Sequence, residues 1–218
     1  MDEIRRSFRR ENDQHRASAA APSFLTLSGG GEDGAFGAGL LVGWSEHGGR
    51  PQFKIVTGTS TGALAAPFAF LGSEFDWALQ KMYTTTDAAD VATKRYLVTA
   101  VTNDALMDNA PLYRTITKYL DDRTLERIAE EYGKGHFLLI CTTNLNVGKL
   151  VIWNIGAIAA SDHPRRFELI RKIILASAAV PGLFPPVMID VVLDKTRHQE
   201  MHVDGGTISQ VFLYPAAT

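Results

Sequence analysis

The sequence predicts an α/β fold with a largely parallel central sheet. Two observations carry this reading. Short apolar segments alternate with helical stretches, and the first two such segments, 24–27 and 53–57, each run into a glycine turn that opens a helix. The chain has 218 residues, 45% of them hydrophobic, which suits one domain with a sizeable core.

In chain order, 24–27 reads as a strand, 29–34 as a turn and 35–45 as a helix. A second strand at 53–57 leads through a tight turn at 58–62 into a small apolar helix from Ala63 to about Leu71. Residues 74–133 read mostly as helix. The clearest part is 111–132, with Pro111 in the first turn behind Asp108 or Asn109 as cap. Strands follow at 137–143 and 150–153 around a turn at 144–148. Residues 167–178 have helical period and stop before Pro181, and 187–193 and 201–203 are strands joined by a charged turn. Residues 1–22 stand apart. Arg5, Arg6, Arg9, Arg10 and Arg16 make them basic, and Ile4 with Phe8 supplies only a thin apolar face, so a solvated arm or linker is expected before a domain at 23–218.

Composition excludes several function classes. Lys plus Arg number 22 and Asp plus Glu 24, a net charge of −2, so nothing draws the chain globally to nucleic acid. The single cysteine, Cys141, makes no disulfide and no zinc site, and its apolar surroundings mark a buried thiol. No signal peptide is visible, and no apolar run approaches the ~20 residues of a membrane span. The chain reads as soluble, and its compartment is left open.

Three motifs carry chemistry. The sharpest is Gly58-Thr59-Ser60-Thr61-Gly62. A nucleophile on a tight strand-to-helix turn sits in a strained conformation that needs small neighbours two residues away, hence Gly58 and Gly62. The competing reading is a plain helix cap by Ser60 or Thr59. The second motif is Gly29-Gly30-Gly31-Glu32-Asp33-Gly34. Its converging backbone N–H groups suit an oxyanion or a phosphate. As G-x-G-x-x-G it also admits a nucleotide-binding module, although the second strand ends in the serine elbow rather than an acidic residue and no P-loop lysine follows. The third is Asp204-Gly205-Gly206 after a strand, either a site carboxylate or an ordinary Asp-Gly turn.

Two kinds of base are available to Ser60. Asp204 gives a Ser–Asp dyad. His198, or His202 on the same strand face as Asp204, gives a Ser-His-Asp esterase with Asp190 or Asp194 as the acid. Leu64, Pro67, Phe68 and Phe70 on the elbow helix either line an acyl channel or fill the core, and the core is favoured.

Taken together and in this order, the three motifs resemble the patatin-like phospholipase family. So do Thr142-Thr143-Asn144-Leu145-Asn146-Val147-Gly148 and the segment from Ala176 to Pro186. The resemblance implies a three-layer α/β/α fold and a serine acyl-ester hydrolase of phospholipase A, lysophospholipase or esterase type. It implies Ser60 and Asp204 as the dyad, with an oxyanion hole from Gly29, Gly30, Gly31, Gly34 and Thr61. It further implies a lipid or acyl-ester substrate, peripheral contact with a membrane, and no metal or organic cofactor. Two features depart from the family pattern. Asp33, after Glu32, stands where the loop usually carries Arg or Lys. The short stretch after Gly206 reads as a truncated end.

Overall fold

The computed structural model describes residues 22–84 and 108–213. The arm at 1–21 and part of the 74–133 region therefore lie outside the described residues. Among the described residues six strands form one sheet: β1 (Phe24–Leu27), β2 (Ile55–Gly58), β3 (Phe137–Asn144), β4 (Lys149–Asn154), β5 (Val187–Leu193) and β6 (Thr196–Asp204). The helices are α1 (Gly34–Glu46), α2 (Thr61–Leu71), α3 (Asp76–Thr84), α4 (Ala110–Tyr119), α5 (Asp122–Gly133), α6 (Ile155–Ala159) and α7 (Arg166–Ser177).

Strands β1, β2 and β3 pair parallel, while β4 and β6 pair antiparallel with β3, and β5 pairs antiparallel with β6. Strand β5 thus runs with the first three, and the sheet is mainly parallel, as the alternation of elements predicts.

The register around β3 fixes the site. Leu139 and Ile140 pair with both β2 and β4, so those two strands occupy opposite edges of β3. Thr142 to Asn144 pair with both β4 and β6, which puts β6 on the same edge as β2. Strands β2 and β6 therefore approach each other head-on along one edge. Gly58 ends opposite Ile140 and Asp204 ends opposite Thr142. Two residues of strand, roughly 6.6 Å, separate those two partners.

Alternation along β2 and β3 sorts the core. Val56, Leu138 and Ile140 join the buried faces of the helices, α2 among them with Ala63, Ala66, Phe68 and Phe70. Pro67, Phe68 and Phe70 are core rather than channel, and Leu64 is half-buried against the same cluster. Ile55, Phe137, Leu139 and Cys141 face the other way under Phe212, Tyr132 and Leu150. Most apolar helix positions among the described residues pack against the first face, while Tyr132 of α5 packs on the second.

Two element boundaries differ from the sequence reading. The helix expected over 111–132 is two helices. Asp121 breaks it, with its carboxylate accepting from the Thr124 N–H at 2.8 Å to cap α5, and Leu120 bridges the pair with buried, non-helical backbone. The charged turn expected before 201 is mostly strand. β6 begins at Thr196, and Asp194 and Lys195 form a two-residue turn with φ of 49° and 65°, the left-handed geometry of a tight hairpin. The charges lie there because residues 196–199 are exposed on both faces.

Close packing around the elbow fixes glycine at two positions. A Cβ on Gly62 would stand 2.7 Å from Ser28 O and closer still to Leu27 O, and a Cβ on Gly58 would stand 2.7 Å from Gly62 O. Gly62→Ala is expected to destabilise the protein by ~1–3 kcal/mol, because both obstacles are backbone. Gly43→Ala, on an exposed helical position with nothing within 4 Å, is expected to stabilise by ~0.5–1 kcal/mol. Chemical denaturation of the two variants checks both signs.

Candidate active site

Strand β2 ends at Gly58 and the chain turns at once into α2, so Ser60 occupies the cap position of that helix. Its backbone has φ 55° and ψ −125°, a conformation that costs a non-glycine residue roughly 1–3 kcal/mol. Backbone bonds from Gly62 N to Thr59 O (2.8 Å) and from Ala63 N to Ser60 O (2.9 Å) close the turn. The Ser60 side chain makes no capping bond. Its hydroxyl instead donates to Asp204 Oδ2 at 2.5 Å, 144 residues further along the chain. The cap reading of this serine thus gives way to a side chain aimed off the helix.

Asp204 is held at three points. Its backbone N–H donates to Ala179 O at 2.9 Å, Oδ1 accepts from Gly206 N at 2.7 Å, and Oδ2 accepts from Ser60. The first of the two glycines after it is a steric requirement, and the second is tightly placed. A Cβ on Gly205 would stand 2.7 Å from Cys141 O and closer to Cys141 Sγ, and one on Gly206 would stand 3.0 Å from Asp204 Oδ1. Burial pushes the Asp204 carboxyl above the ordinary carboxylate range, against the opposing pull of the Ser60 hydroxyl and the Gly206 N–H. Ser60 and Asp204 are 6% and 4% exposed, so this contact is largely shielded from water.

His202 lies elsewhere in the hydrogen-bond network. It is fully buried, with Nδ1 2.8 Å from Thr142 Oγ1 and Nε2 3.1 Å from Glu200 Oε2. Trp153 Nε1–H donates to the same Thr142 oxygen at 2.8 Å. The arrangement that satisfies all four groups has the Thr142 hydroxyl donating to Nδ1 and the Nε2–H donating to Glu200. Burial holds the imidazole pKa below its usual value, so the ring is neutral at neutral pH with its lone pair already engaged. Asp190, offered as an acid for a triad, is exposed and bonded to Gln199, and Asp194 sits in the hairpin turn.

The glycine loop divides into tied and free amides. Gly29 N donates to Gln210 O at 3.2 Å, and Gly34 N donates back to Glu32 O and Gly31 O. Neither amide is free to face an anion. Both positions matter sterically instead, since a Cβ on Gly29 would stand 2.9 Å from Ser60 Cβ and one on Gly34 3.0 Å from Thr61 Cβ. Gly30 and Gly31 have positive φ, 159° and 57°, and lie at the exposed mouth of the loop. Glu32 and Asp33 are exposed as well. Cys141 is a buried thiol beside Thr59 Oγ1, its pKa raised by burial.

Sequence reasoning missed one residue here. Ser177, fully buried at the end of α7, accepts the Ser60 N–H on its Oγ at 3.0 Å. It lies within the 176–186 segment that carries the resemblance, but nothing in its spacing announces a partner 117 residues away.

A mainly parallel α/β sheet thus carries a strained serine turn at the end of β2 and an aspartate followed by two glycines at the end of β6. The model of the patatin-like phospholipase family matches residues 25–217, and the chain belongs to that family. Among solved structures it is similar to VipD from Legionella pneumophila, at 17% identity and a TM-score of 0.52 over 91% of this chain and 48% of that one. The likeness is one of fold, and the chain spans about half the length of VipD. Among curated proteins, none matches the chain. No helix among the described residues is long and apolar enough to cross a membrane, and the described residues hold no cluster of three or more metal-ligating side chains.

The raised Asp204 pKa has a consequence for stability. A buried acid with a folded pKa above its unfolded value costs nothing when both states are protonated, and weakens the fold once pH rises through the folded value. Asp204→Asn is therefore expected to raise the thermal midpoint at neutral pH. The gain should shrink as pH falls toward the ordinary carboxylate range, a trend that thermal melts from neutral to acid pH would display.

Proposed function

We propose that this chain is a serine acyl-ester hydrolase acting on lipid or related acyl esters through a Ser60–Asp204 dyad. The observation that carries the reading is the 2.5 Å hydrogen bond from Ser60 Oγ to Asp204 Oδ2. Membership of the patatin-like phospholipase family supports the substrate class.

Asp204 takes the Ser60 proton as Oγ attacks the ester carbonyl carbon. The carbonyl oxygen gains the negative charge and lies against the amides of Gly30, Gly31 and Thr61, with the N-terminus of α2 behind them. Gly29 and Gly34 serve this hole by letting Ser60 and Thr61 approach, with their own amides tied. Asp204 then gives its proton to the departing alcohol oxygen, the carbon–oxygen bond breaks, and an acyl-Ser60 remains. Water loses a proton to Asp204, attacks the acyl carbon and releases the carboxylic acid, and the proton returns to Ser60 Oγ.

An aspartate is a weak base for a hydroxyl, and three features of the site offset this. Burial raises its proton affinity, the hydrogen bond is already formed, and each oxyanion donor supplies ~2.7–4 kcal/mol in the transition state. The occupied nitrogens of His202 favour the dyad over a histidine triad. The absence of a cation at Asp33 bears on substrate charge: with Glu32 and Asp33 exposed beside the loop, neutral esters should be turned over faster than anionic phospholipid.

Ser60→Ala should abolish hydrolysis of a p-nitrophenyl ester and labelling by a fluorophosphonate, a loss of about 10³-fold or more. Asp204→Asn should lose nearly as much, and His202→Ala far less. Because Asp204 must be ionised to accept the proton, activity should fall on the acid side with a midpoint above the ordinary carboxylate range of about 4. Hydrolysis by Ser60→Ala at the wild-type rate would reject the assignment. Tight nucleotide binding without fluorophosphonate labelling would favour a phosphate-binding glycine loop instead.

A further inference from the structure

We infer that Ser177 is a positioning residue for the dyad, holding the Ser60 backbone in the one conformation from which its hydroxyl reaches Asp204. The inference rests on the reading of Ser60 and Asp204 as the reacting pair, and adds a residue that none of the sequence motifs contains.

Ser60 is a non-glycine residue at φ 55° and ψ −125°, and such strain persists only where the surroundings impose it. The backbone bonds that close the elbow involve Thr59 O and Ser60 O, on either side of the Ser60 N–H. The N–H itself has one partner, Ser177 Oγ at 3.0 Å. Rotating the peptide between Thr59 and Ser60 toward a relaxed φ would swing this N–H away from Ser177 and carry Ser60 Oγ off Asp204. Ser177 is fully buried, so no water stands ready to replace it.

The same short segment also holds the other partner. Asp204 N–H donates to Ala179 O at 2.9 Å, two residues after Ser177. Both members of the dyad hang from residues 177–179. That segment is anchored by α7, whose Ile170, Ile173 and Ile174 are buried in the main core. Ser60 and Asp204 come from strands that do not pair with each other, and this tether adds to the β3 register in holding them at contact distance. The bond to Ser177 also removes the Ser60 amide from the set that faces the oxyanion, which leaves Thr61 as the elbow's donor.

The test uses the full chain, a soluble p-nitrophenyl ester and a fluorophosphonate, with Ser60→Ala run alongside. Ser177→Ala is expected to lower kcat by about 10²-fold, the cost of a displacement near 1 Å, with KM within about twofold. Fluorophosphonate should still label the whole protein at Ser60, only more slowly by a similar factor. Ser177→Thr, which keeps the acceptor, should recover most of the rate. A merely structural role would give a different signature, a reduced labelled fraction reacting at the wild-type rate, and that result would overturn the inference. So would wild-type kcat in Ser177→Ala. Should that variant fail to fold, Ser177→Cys keeps the volume with a weaker acceptor and is held to the same two readouts. If Ser60→Ala itself retains activity, the nucleophile assignment fails. If only the Ser177 variants behave as wild type, the tether alone is wrong.

Discussion

One edge of strand β3 governs this protein. Strand β2 uses the first half of that edge and β6 the second, running toward each other and stopping with Ile140 and Thr142 as their last partners. A continuous neighbour on that edge would leave no room between them. Because β2 leaves at Gly58 and β6 ends at Asp204, the gap becomes the place where a serine and a carboxylate meet. The chain brings together residues 144 positions apart by ladder register along β3, a strand buried on both faces whose side chains point alternately into the two apolar clusters.

That meeting places two unfavourable features in contact. Ser60 carries backbone strain, and Asp204 carries a carboxyl that burial pushes toward its protonated form. Each is tolerable because its surroundings leave it no alternative. Helix α2 behind the elbow is buried on nearly every side, so the turn cannot open by lifting the helix. Asp204 has its amide, Oδ1 and Oδ2 each committed to a different partner. The glycines of the three motifs then fall into separate physical roles. Gly58, Gly62 and Gly205 admit backbone or sulfur atoms too close for any side chain. Gly31 supplies a left-handed φ that leaves its amide unencumbered, and Gly29 makes space for Ser60 while its own amide is spent on Gln210.

Much of this was legible in the sequence. Strands β1, β2, β3 and β5 and helices α1, α2 and α7 stand within two residues of where their patterns put them, since each pairs an apolar run with a glycine or proline stop. The elbow and the aspartate motif were legible as candidates because the spacing of glycines around Ser60 and after Asp204 is sterically dictated. What was hidden had no local signature. The break at Asp121 interrupts a stretch that is amphipathic on both sides, so periodicity carries through it. The start of β6 was hidden because its first residues protrude from the sheet and expose both faces, which gives a strand no apolar alternation. Gly29 and Gly34 share the flexibility of Gly30 and Gly31, and only tertiary contacts show that their amides are taken.

His202 shows the same limit from the chemical side. In sequence it is the alternative base, two residues from Asp204 and on its face of the strand. In the fold that face is where β6 meets Thr142 and Trp153, and the imidazole completes a chain from the indole N–H through the Thr142 hydroxyl to Glu200. A histidine whose acceptor nitrogen already receives a hydroxyl proton has no basicity to lend without breaking that chain. Thr142 is also the ladder partner of Asp204, so the network that silences His202 sits directly against the residue that does face Ser60. Proximity along the strand thus makes His202 a support for the β3–β6 junction, and the base we propose is Asp204, whose side chain points across the gap to Ser60.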